Sequence, residues 1–428
     1  MILANGKLYD TSRQDELLDG LEERLNRTLA EQTLAPEQVI SAIDRLGQRL
    51  DRGEFDALLS QVELADRYLA QIRPHLTREA LEYKLRVELG TDTAPFVTRP
   101  PEGLPPITVR PAPLGVLLHI AAGNVDGLPA YSVVEGLLTG NINILKLPQA
   151  DNGLSVEILR QLIREEPALT DFIYAFDTPS EDVDALLRMA QLSDGVVVWG
   201  GDGAVSAVRR FAPVGVKLME WGHRLSFAYL SGAQDRARDW PALARHIVET
   251  RQLLCSSCQV IYLDTERPED VHTFCRDFLP LLEQAAASGP ARSLGAVAEL
   301  TLRRYQERVE RAISGDARQS DRRVYHGRGC SLTACTDREL ELSDLFGNPL
   351  VKALPRRELL PTLRRQKGRL QTAGLLCPEA DRAALTDLLV RSGVTRVLPA
   401  GEMSDTFAGE THDGEYPLRR YTRMVNVR

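Results

Sequence analysis

Gly115-Val116-Leu117-Leu118-His119-Ile120 is a short, nearly continuous apolar run that ends at Ala121-Ala122-Gly123-Asn124. Such a run reads as a strand buried on both faces. Downstream, Leu128 to Leu138 has helical spacing, Ile142 to Leu147 is a second apolar strand, and Leu154 to Ile163 is an amphipathic helix. Phe172 to Phe176, Glu181 to Met189 and Val196-Val197-Val198-Trp199 continue the strand–helix–strand alternation. Short apolar strands separated by helices are βαβ units, and they predict a parallel sheet of nucleotide-binding type.

The pattern restarts after Ser231, with a helix around Trp240 to Leu254, a strand at Val260 to Leu263 and a helix from Pro268 to Ala287. Upstream, residues 12 to 90 read as helices. Leu17, Leu18, Leu21, Leu25 and Leu29 share a face, as do Val39, Ile40, Ile43, Leu46 and Leu50, and then Leu81, Leu85 and Leu89. Prolines interrupt 94 to 113, where only Ile107-Thr108-Val109 is expected to pair, as an edge strand. Asp413-Gly414 signals a turn before a polar, strand-like tail. The expected organisation is a helical segment (1–93), an extended arm or linker (94–112), a nucleotide-binding domain (113–230), a catalytic α/β domain (231–398) and a C-terminal return or oligomerisation tail (399–428). A chain of 428 residues exceeds one ordinary core, so more than one domain is the natural outcome.

Composition narrows the function. The chain is 43% hydrophobic and 26% charged, with a formal charge of −8, so it offers no broad basic footprint for nucleic acid. Its one basic cluster, Arg419, Arg420, Arg423 and Arg428, reads as a solvated tail. Met1-Ile2-Leu3-Ala4-Asn5-Gly6-Lys7 lacks a charged start followed by an apolar run, so no signal peptide is expected. Nor does any stretch reach the roughly 18 apolar residues of a membrane span. Cys255, Cys258, Cys275, Cys330, Cys335 and Cys377 are scattered and form no disulfide framework, which fits a reducing cytoplasm.

The candidate chemistry sits at turns. In Leu253-Leu254-Cys255-Ser256-Ser257-Cys258-Gln259-Val260-Ile261-Tyr262-Leu263 a helix ends, a cysteine follows on the connection, and a strand begins at once. That places a thiol on a loop. Glu220 ends an upstream strand, Val216 to Met219, as a candidate base, although an isolated carboxylate there reads more readily as ordinary polar surface. Asn124 follows another strand, where a side-chain amide can donate to an oxyanion and where turn asparagines are also common. Amide, carboxylate and thiol together point to acyl-thioester chemistry.

The cysteine pair Cys255 and Cys258 admits other readings. A redox dithiol normally opens a helix, whereas this pair runs into a strand. A zinc site needs a second ligand pair, which does not recur, so no metal is expected. Gly200-Gly201-Asp202-Gly203 follows a strand and opens a helix, where glycines let amides approach a pyrophosphate; any tight βα turn favours glycine too. Lys146 ends a strand at the carboxyl edge of the sheet, within reach of ligand, though surface lysines are commonplace. An acid three residues on would hold a ribose diol and repel a 2′-phosphate; Gln149 stands there and permits NADP.

These residues resemble a known superfamily. Pro113-Leu114-Gly115-Val116 through Gly123-Asn124, Thr139-Gly140-Asn141 before Lys146, Trp199-Gly200-Gly201-Asp202, Glu220, and Cys255-Ser256-Ser257-Cys258-Gln259 follow aldehyde dehydrogenase order. The Trp199-Gly200-Gly201-Asp202 turn and His412-Asp413-Gly414, Pro417-Leu418 and Arg423 resemble the LuxC-type acyl-CoA reductases. The likeness runs from about residue 105 onward. It implies an aldehyde dehydrogenase-like α/β fold, with a Rossmann-type nucleotide domain, an α/β catalytic domain and an arm serving a homodimer or homotetramer.

The resemblance also implies a mechanism. Cys255 attacks an acyl thioester, Asn124 and the Cys255 amide hold the oxyanion, CoA departs, and NADPH reduces the S-acyl enzyme to aldehyde. Asp344, in Asp344-Leu345-Phe346-Gly347, takes the place of the family's nicotinamide-ribose acid. The donor is acyl-CoA or an acyl-enzyme, with an acyl-protein synthetase or acyltransferase as the implied partner. Hydrolytic relatives carry Glu-Leu-Gly-Gly-Lys where this chain has Glu220-Trp221-Gly222-His223-Arg224. Two other readings are an aldehyde dehydrogenase that releases acid through Glu220, and a non-catalytic acyl-binding subunit of a fatty-acid reductase complex.

Overall fold

The computed structural model describes residues 1–60, 73–90, 105–121, 127–149, 153–232, 235–289 and 322–428, the backbone of Phe96–Thr98, and isolated helical positions between 295 and 313. The chain divides into two units, Met1–Gly222 with Thr406–Arg428, and His223–Asp405. Both are α/β, as the strand–helix alternation requires.

In the first unit the apolar runs become β1 (Ile2–Ala4), β2 (Lys7–Tyr9), β3 (Phe96–Thr98), β4 (Ile107–Pro113), β5 (Val116–Ile120), β6 (Ile142–Lys146), β7 (Ile173–Phe176), β8 (Gly195–Trp199) and β9 (Lys217–Trp221). Seven of them form a sheet in the order β2-β1-β7-β6-β5-β8-β9, in which β7, β6, β5, β8 and β9 are parallel. Val116, Leu117, Leu118, Ile144, Leu145, Val196, Val197 and Val198 are buried. Each contributes about 1.5–3 kcal/mol by leaving water, which is why these strands read as uninterrupted apolar runs. Leu17, Leu18, Leu21, Leu25, Val39, Ile40, Ile43 and Leu81 join the same core, whereas Leu29 is exposed.

Within the parallel set, chain order β5, β6, β7 runs one way from the centre and β8, β9 the other. Strand order therefore reverses between β5 and β8, and the crevice outside their carboxyl ends is where α/β sheets bind ligand. The Gly200-Gly201 turn follows β8 there, and the segment containing Asn124 follows β5 in the chain.

A polar chain threads this core. Trp199 Nε1 donates to Ser132 Oγ (3.0 Å), Ser132 Oγ lies 2.7 Å from His119 Nδ1, and His119 Nε2 lies 2.9 Å from Asn143 Oδ1. Asn143 Nδ2 donates to Asn141 O. This order makes His119 a neutral imidazole that donates from Nε2 and accepts at Nδ1. Gly136 is needed beside it, because a Cβ there would stand 1.8 Å from Asn143 Oδ1.

In the second unit β10 (Leu225–Leu230), β11 (Cys258–Leu263), β12 (Arg323–Gly327), β13 (Cys330–Cys335), β14 (Leu350–Ala353), β15 (Leu370–Leu376) and β16 (Arg396–Leu398) form the sheet β12-β13-β14-β11-β10-β15-β16. Only the β12–β13 pair is antiparallel. The helices Arg236–Glu249 and Pro268–Ser288 supply one apolar layer, through Trp240, Leu243, Ile247, Phe274 and Phe278. The helices Arg356–Leu363 and Glu379–Ser392 supply another, through Leu359, Leu363, Leu385 and Leu389.

Three sequence expectations are corrected here. First, the N-terminus opens with the β1–β2 hairpin and adds an antiparallel edge to β7. Asn5-Gly6, both at positive φ, was the available signal for its tight turn. Second, β4 is longer than Ile107-Thr108-Val109 and is central in a three-stranded sheet, between β3 and the C-terminal β17 (Thr422–Val427). Pro111 and Pro113 are tolerated because β3 pairs only with residues 107–109, leaving a single partner strand beside the prolines. Third, Arg419 and Arg420 are not a solvated tail. Arg419 donates to the carbonyl of Glu88, and Arg420 donates to Leu218 O (2.9 Å), pairs with Glu415 (2.7 Å) and lies over the Trp221 ring. No helix among the described residues is long and apolar enough to cross a membrane.

Burial pushes the His119 pKa from 6.5 down to about 4. The unfolded chain therefore binds this proton more readily, so the contribution is complete above pH 6.5 and is lost as pH falls toward 4. At about pH 5 the loss amounts to roughly 2 kcal/mol. Urea midpoints measured between about pH 7.5 and 5 should fall more steeply for the native protein than for His119→Gln; parallel curves would show that His119 takes up its proton without cost.

Candidate active site

At the carboxyl edge of the first sheet, Lys146 closes β6. Its Nζ donates to Ser180 Oγ at 3.0 Å, and burial pushes its pKa down against the opposing pull of Glu181 and Asp177. Gln149 follows, exposed. Gly201 caps the helix Asp202–Phe211 with no side-chain cap, and a Cβ at Gly201 or Gly203 would meet nothing within 4 Å. An uncapped helix N-terminus with open glycines suits a phosphate, and Asp202 in its first turn opposes one. Gly200 has a second reason to be glycine: its Cβ would stand 2.9 Å from that of Ala204.

Glu220 lies within β9 rather than after it. Arg209, one helix away, grips it with two parallel bonds, Nε to Oε1 at 2.5 Å and Nη2 to Oε2 at 2.6 Å. This fork-to-fork geometry favours the ionised carboxylate. Behind it, Trp221 stacks on Trp199 with ring centres 5.4 Å apart, and His412 packs on both rings at 4.9 and 5.1 Å. The Trp199-Gly200-Gly201-Asp202 turn and the His412-Asp413-Gly414 turn, remote in sequence, thus meet in space.

In the second unit the thiols of the Cys255–Cys258 pair differ sharply. Cys255 is exposed on the turn Leu254–Ser257, which is closed by Ser257 N to Leu254 O (3.0 Å) and Leu254 N to Ser257 Oγ (3.0 Å). Its carbonyl accepts from Ser226 Oγ at 2.6 Å. Cys258 is buried, donates to Val260 O, and has its thiol pKa pushed up to about 12 by burial. Its backbone N–H donates to His246 Nε2 (3.3 Å), an imidazole that burial keeps neutral with a pKa of about 4.

A buried amide grid joins this turn to the loop carrying Asp344. Gln252 Oε1 accepts from Gly347 N (3.0 Å) and Asn348 N (2.8 Å), while its Nε2 donates to Cys258 O (2.8 Å) and Ser343 Oγ (2.9 Å). Gln259 Oε1 accepts from Ser343 N (3.2 Å) and Ser343 Oγ (2.8 Å), and its Nε2 donates to Gln252 O (2.8 Å). Cys255 and Asp344, far apart in the chain, therefore sit on loops bonded to each other.

Of the residues expected from sequence, Lys146, Gly200, Gly201 and Glu220 gather at one sheet edge of the first unit, with Gln149 beyond β6. Cys255 and Asp344 gather on neighbouring loops of the second. Asn124 lies outside the described residues. Sequence reasoning missed Arg209, His246, Gln252 and Ser343. Arg209 carried no local signal; Gln252 stood in plain view beside the cysteine, but its partners come from a distant loop. Among the described residues no group of three or more His, Cys, Asp and Glu could hold a metal ion.

Comparison with known proteins now places the chain. The family model described as acyl-CoA reductase (LuxC) matches residues 31–424. The long-chain acyl-protein thioester reductase of Aliivibrio fischeri is 24% identical over 330 residues, covering 74% of this chain and 65% of the relative. Long-chain acyl-protein thioester reductase 2 of Photobacterium leiognathi is 24% identical over 329 residues, with the same coverage. The chain thus spans about two-thirds of the length of these relatives. Among solved structures, lactaldehyde dehydrogenase from Escherichia coli superposes with a TM-score of 0.70 at 15% identity, over 98% of this chain and 91% of that one. The fold is that of the aldehyde dehydrogenases.

The contrast between the two thiols has a direct readout. Brief iodoacetamide treatment of the folded protein followed by peptide mapping should label Cys255 at least about tenfold faster than Cys258, since the thiolate is the nucleophile and burial suppresses it. Equal labelling would contradict the burial of Cys258.

Proposed function

Because the chain belongs to the LuxC family of acyl-CoA reductases, we propose that it reduces a long-chain acyl thioester to the aldehyde with NADPH, through an S-acyl intermediate on Cys255. The observation that carries this reading is an exposed cysteine on a hydrogen-bonded turn, anchored from behind, in a chain of this family. The relatives' names supply the substrate class, a long-chain acyl group held as a protein thioester. Acyl-CoA and an acyl-protein are the two candidate donors, and an acyl-carrying protein is the candidate partner.

The chemistry balances with the groups at hand. Cys255 thiolate attacks the thioester carbonyl, forming a new C–S bond as the bond to the departing thiol breaks. Asn124 and the Cys255 amide are assigned to the oxyanion. Lys146, the Gly200-Gly201 turn and Asp344 are assigned to the nucleotide, and the open, uncapped helix start at Gly201 fits a phosphate there. Gln149 leaves room for a 2′-phosphate. When bound, NADPH supplies the hydride that converts the S-acyl carbonyl to a thiohemiacetal. Collapse then breaks the C–S bond, releasing aldehyde and returning Cys255 as thiolate.

Glu220 bears on the competing outcome, hydrolysis to the acid. Arg209 bonds both carboxylate oxygens of Glu220, so a water drawn up to either oxygen must share it with a guanidinium. That grip supports reduction over acid release.

Intact mass after mixing with a panel of acyl-CoAs tests the reading. An acyl adduct is expected in the native protein and absent in Cys255→Ser, and NADPH should discharge it as aldehyde. Glu220→Gln should keep thioester reduction within about threefold, far from the ~10²-fold or greater loss of a removed general base. Loss of turnover in Glu220→Gln would instead support an acid-releasing aldehyde dehydrogenase. Absence of any adduct, with acyl-CoA or acyl-protein, would leave a non-catalytic acyl-binding role.

A further inference from the structure

Two segments of the second unit hold left-handed backbone at side-chain-bearing residues. They are Arg251-Gln252, with φ of 51° and 60°, and Leu345-Phe346, with φ of 60° and 50°, followed by Gly347 at 80°. Outside glycine such a conformation costs on the order of 1–3 kcal/mol per residue and persists only where the surroundings over-determine it. Here the surroundings are each other. Phe346 N donates to Arg251 O at 2.9 Å, and the Gln252 side chain makes three bonds across the seam, to Ser343, Gly347 and Asn348, and a fourth to Cys258 O on its own side. Ser343 Oγ is the node: it accepts from Gln252 Nε2 and from Leu345 N (3.1 Å), and donates to Gln259 Oε1. Both Gln252 and Ser343 are buried, so these bonds face no competition from water.

One strained segment lies three residues before Cys255, and the other begins directly after Asp344. We propose that Ser343 and Gln252 are positioning residues that lock the Cys255 turn and the Asp344 turn into one rigid body, so that nucleotide held at Asp344 is felt at the thiol. This rests on Cys255 as nucleophile and Asp344 as nucleotide contact. Neither Ser343 nor Gln252 touches the reacting atoms in this scheme. Gln252 acts through Cys258 O and through the Gly347 and Asn348 amides, and Ser343 acts through Gln252, Gln259 and Leu345. Removing the node leaves both turns present while freeing each to move without the other.

The test compares the rate of Cys255 alkylation by iodoacetamide with and without saturating NADPH, in the native protein, Ser343→Ala and Gln252→Leu. Saturation is fixed for each by fluorescence titration of the nucleotide. The native rate should change about fivefold on nucleotide binding, at the lower end of couplings between linked sites. In Ser343→Ala, which loses a single hydroxyl and should fold, that response should fall below about 1.5-fold although NADPH still binds. Gln252→Leu should lose it as well. A response in Ser343→Ala equal to the native one would overturn the proposal, because NADPH would then be shielding Cys255 directly. A native protein that binds NADPH without any change at Cys255 would overturn it too. Failure of the wider functional reading is seen separately, as the lack of an S-acyl adduct in the native protein.

Discussion

Backbone amides in the interior must find partners, and at two turns of the second unit that requirement is met by a side-chain carboxamide instead of strand pairing. The turns that lead into β11 and β14 depart from regular structure just where Cys255 and Asp344 stand, and there the N–H groups of Gly347 and Asn348 and the carbonyl of Cys258 meet a side chain. Gln252 supplies all three. An unsatisfied buried group costs about 1–3 kcal/mol, so each of these bonds is favoured over leaving its group bare. The consequence is chemical: a thiol on a surface turn acquires a fixed place without being buried.

The first unit meets the same demand with charge. Lys84 is buried between Glu88 (2.6 Å) and Glu135 (3.0 Å). Burial works against its ammonium, but the pull of Glu135, Tyr131 and Glu88 outweighs it and holds the lysine pKa above its usual value. Burial raises the Glu88 pKa in spite of Lys84. Glu88 in turn accepts from Leu418 N at 2.8 Å, so the C-terminal return is tied to the helix Arg78–Leu89. That tie carries His412 to Trp199 and Trp221, beneath the Gly200-Gly201 turn and Glu220.

The two units therefore treat their polar groups differently. The Cys255 turn is anchored by the neutral Gln252 amide and a neutral histidine, His246. Around Glu220 the partner is a guanidinium, which shares both oxygens of the carboxylate.

The strand–helix alternation was legible because a strand buried on both faces is mostly apolar, broken here only by a few paired polar groups such as His119 and Asn143: Val116–Ile120, Ile142–Lys146 and Gly195–Trp199 stand close to where periodicity put them. So was the placement of Cys255 on a turn, since a helix ending and a strand starting within a few residues leave it nowhere else. The β1–β2 hairpin was marked only by Asn5-Gly6, and β4 was disguised by prolines that a central strand normally excludes. Local pattern also could not find Arg209, Gln252, Ser343 and His246. Exposure of one thiol and burial of its neighbour, the grip on Glu220, and the seam between residues 251–259 and 343–348 all depend on partners distant in the chain. Periodicity records which face of an element avoids water; only the folded chain settles which polar group meets which, because that choice is made between elements and not along them.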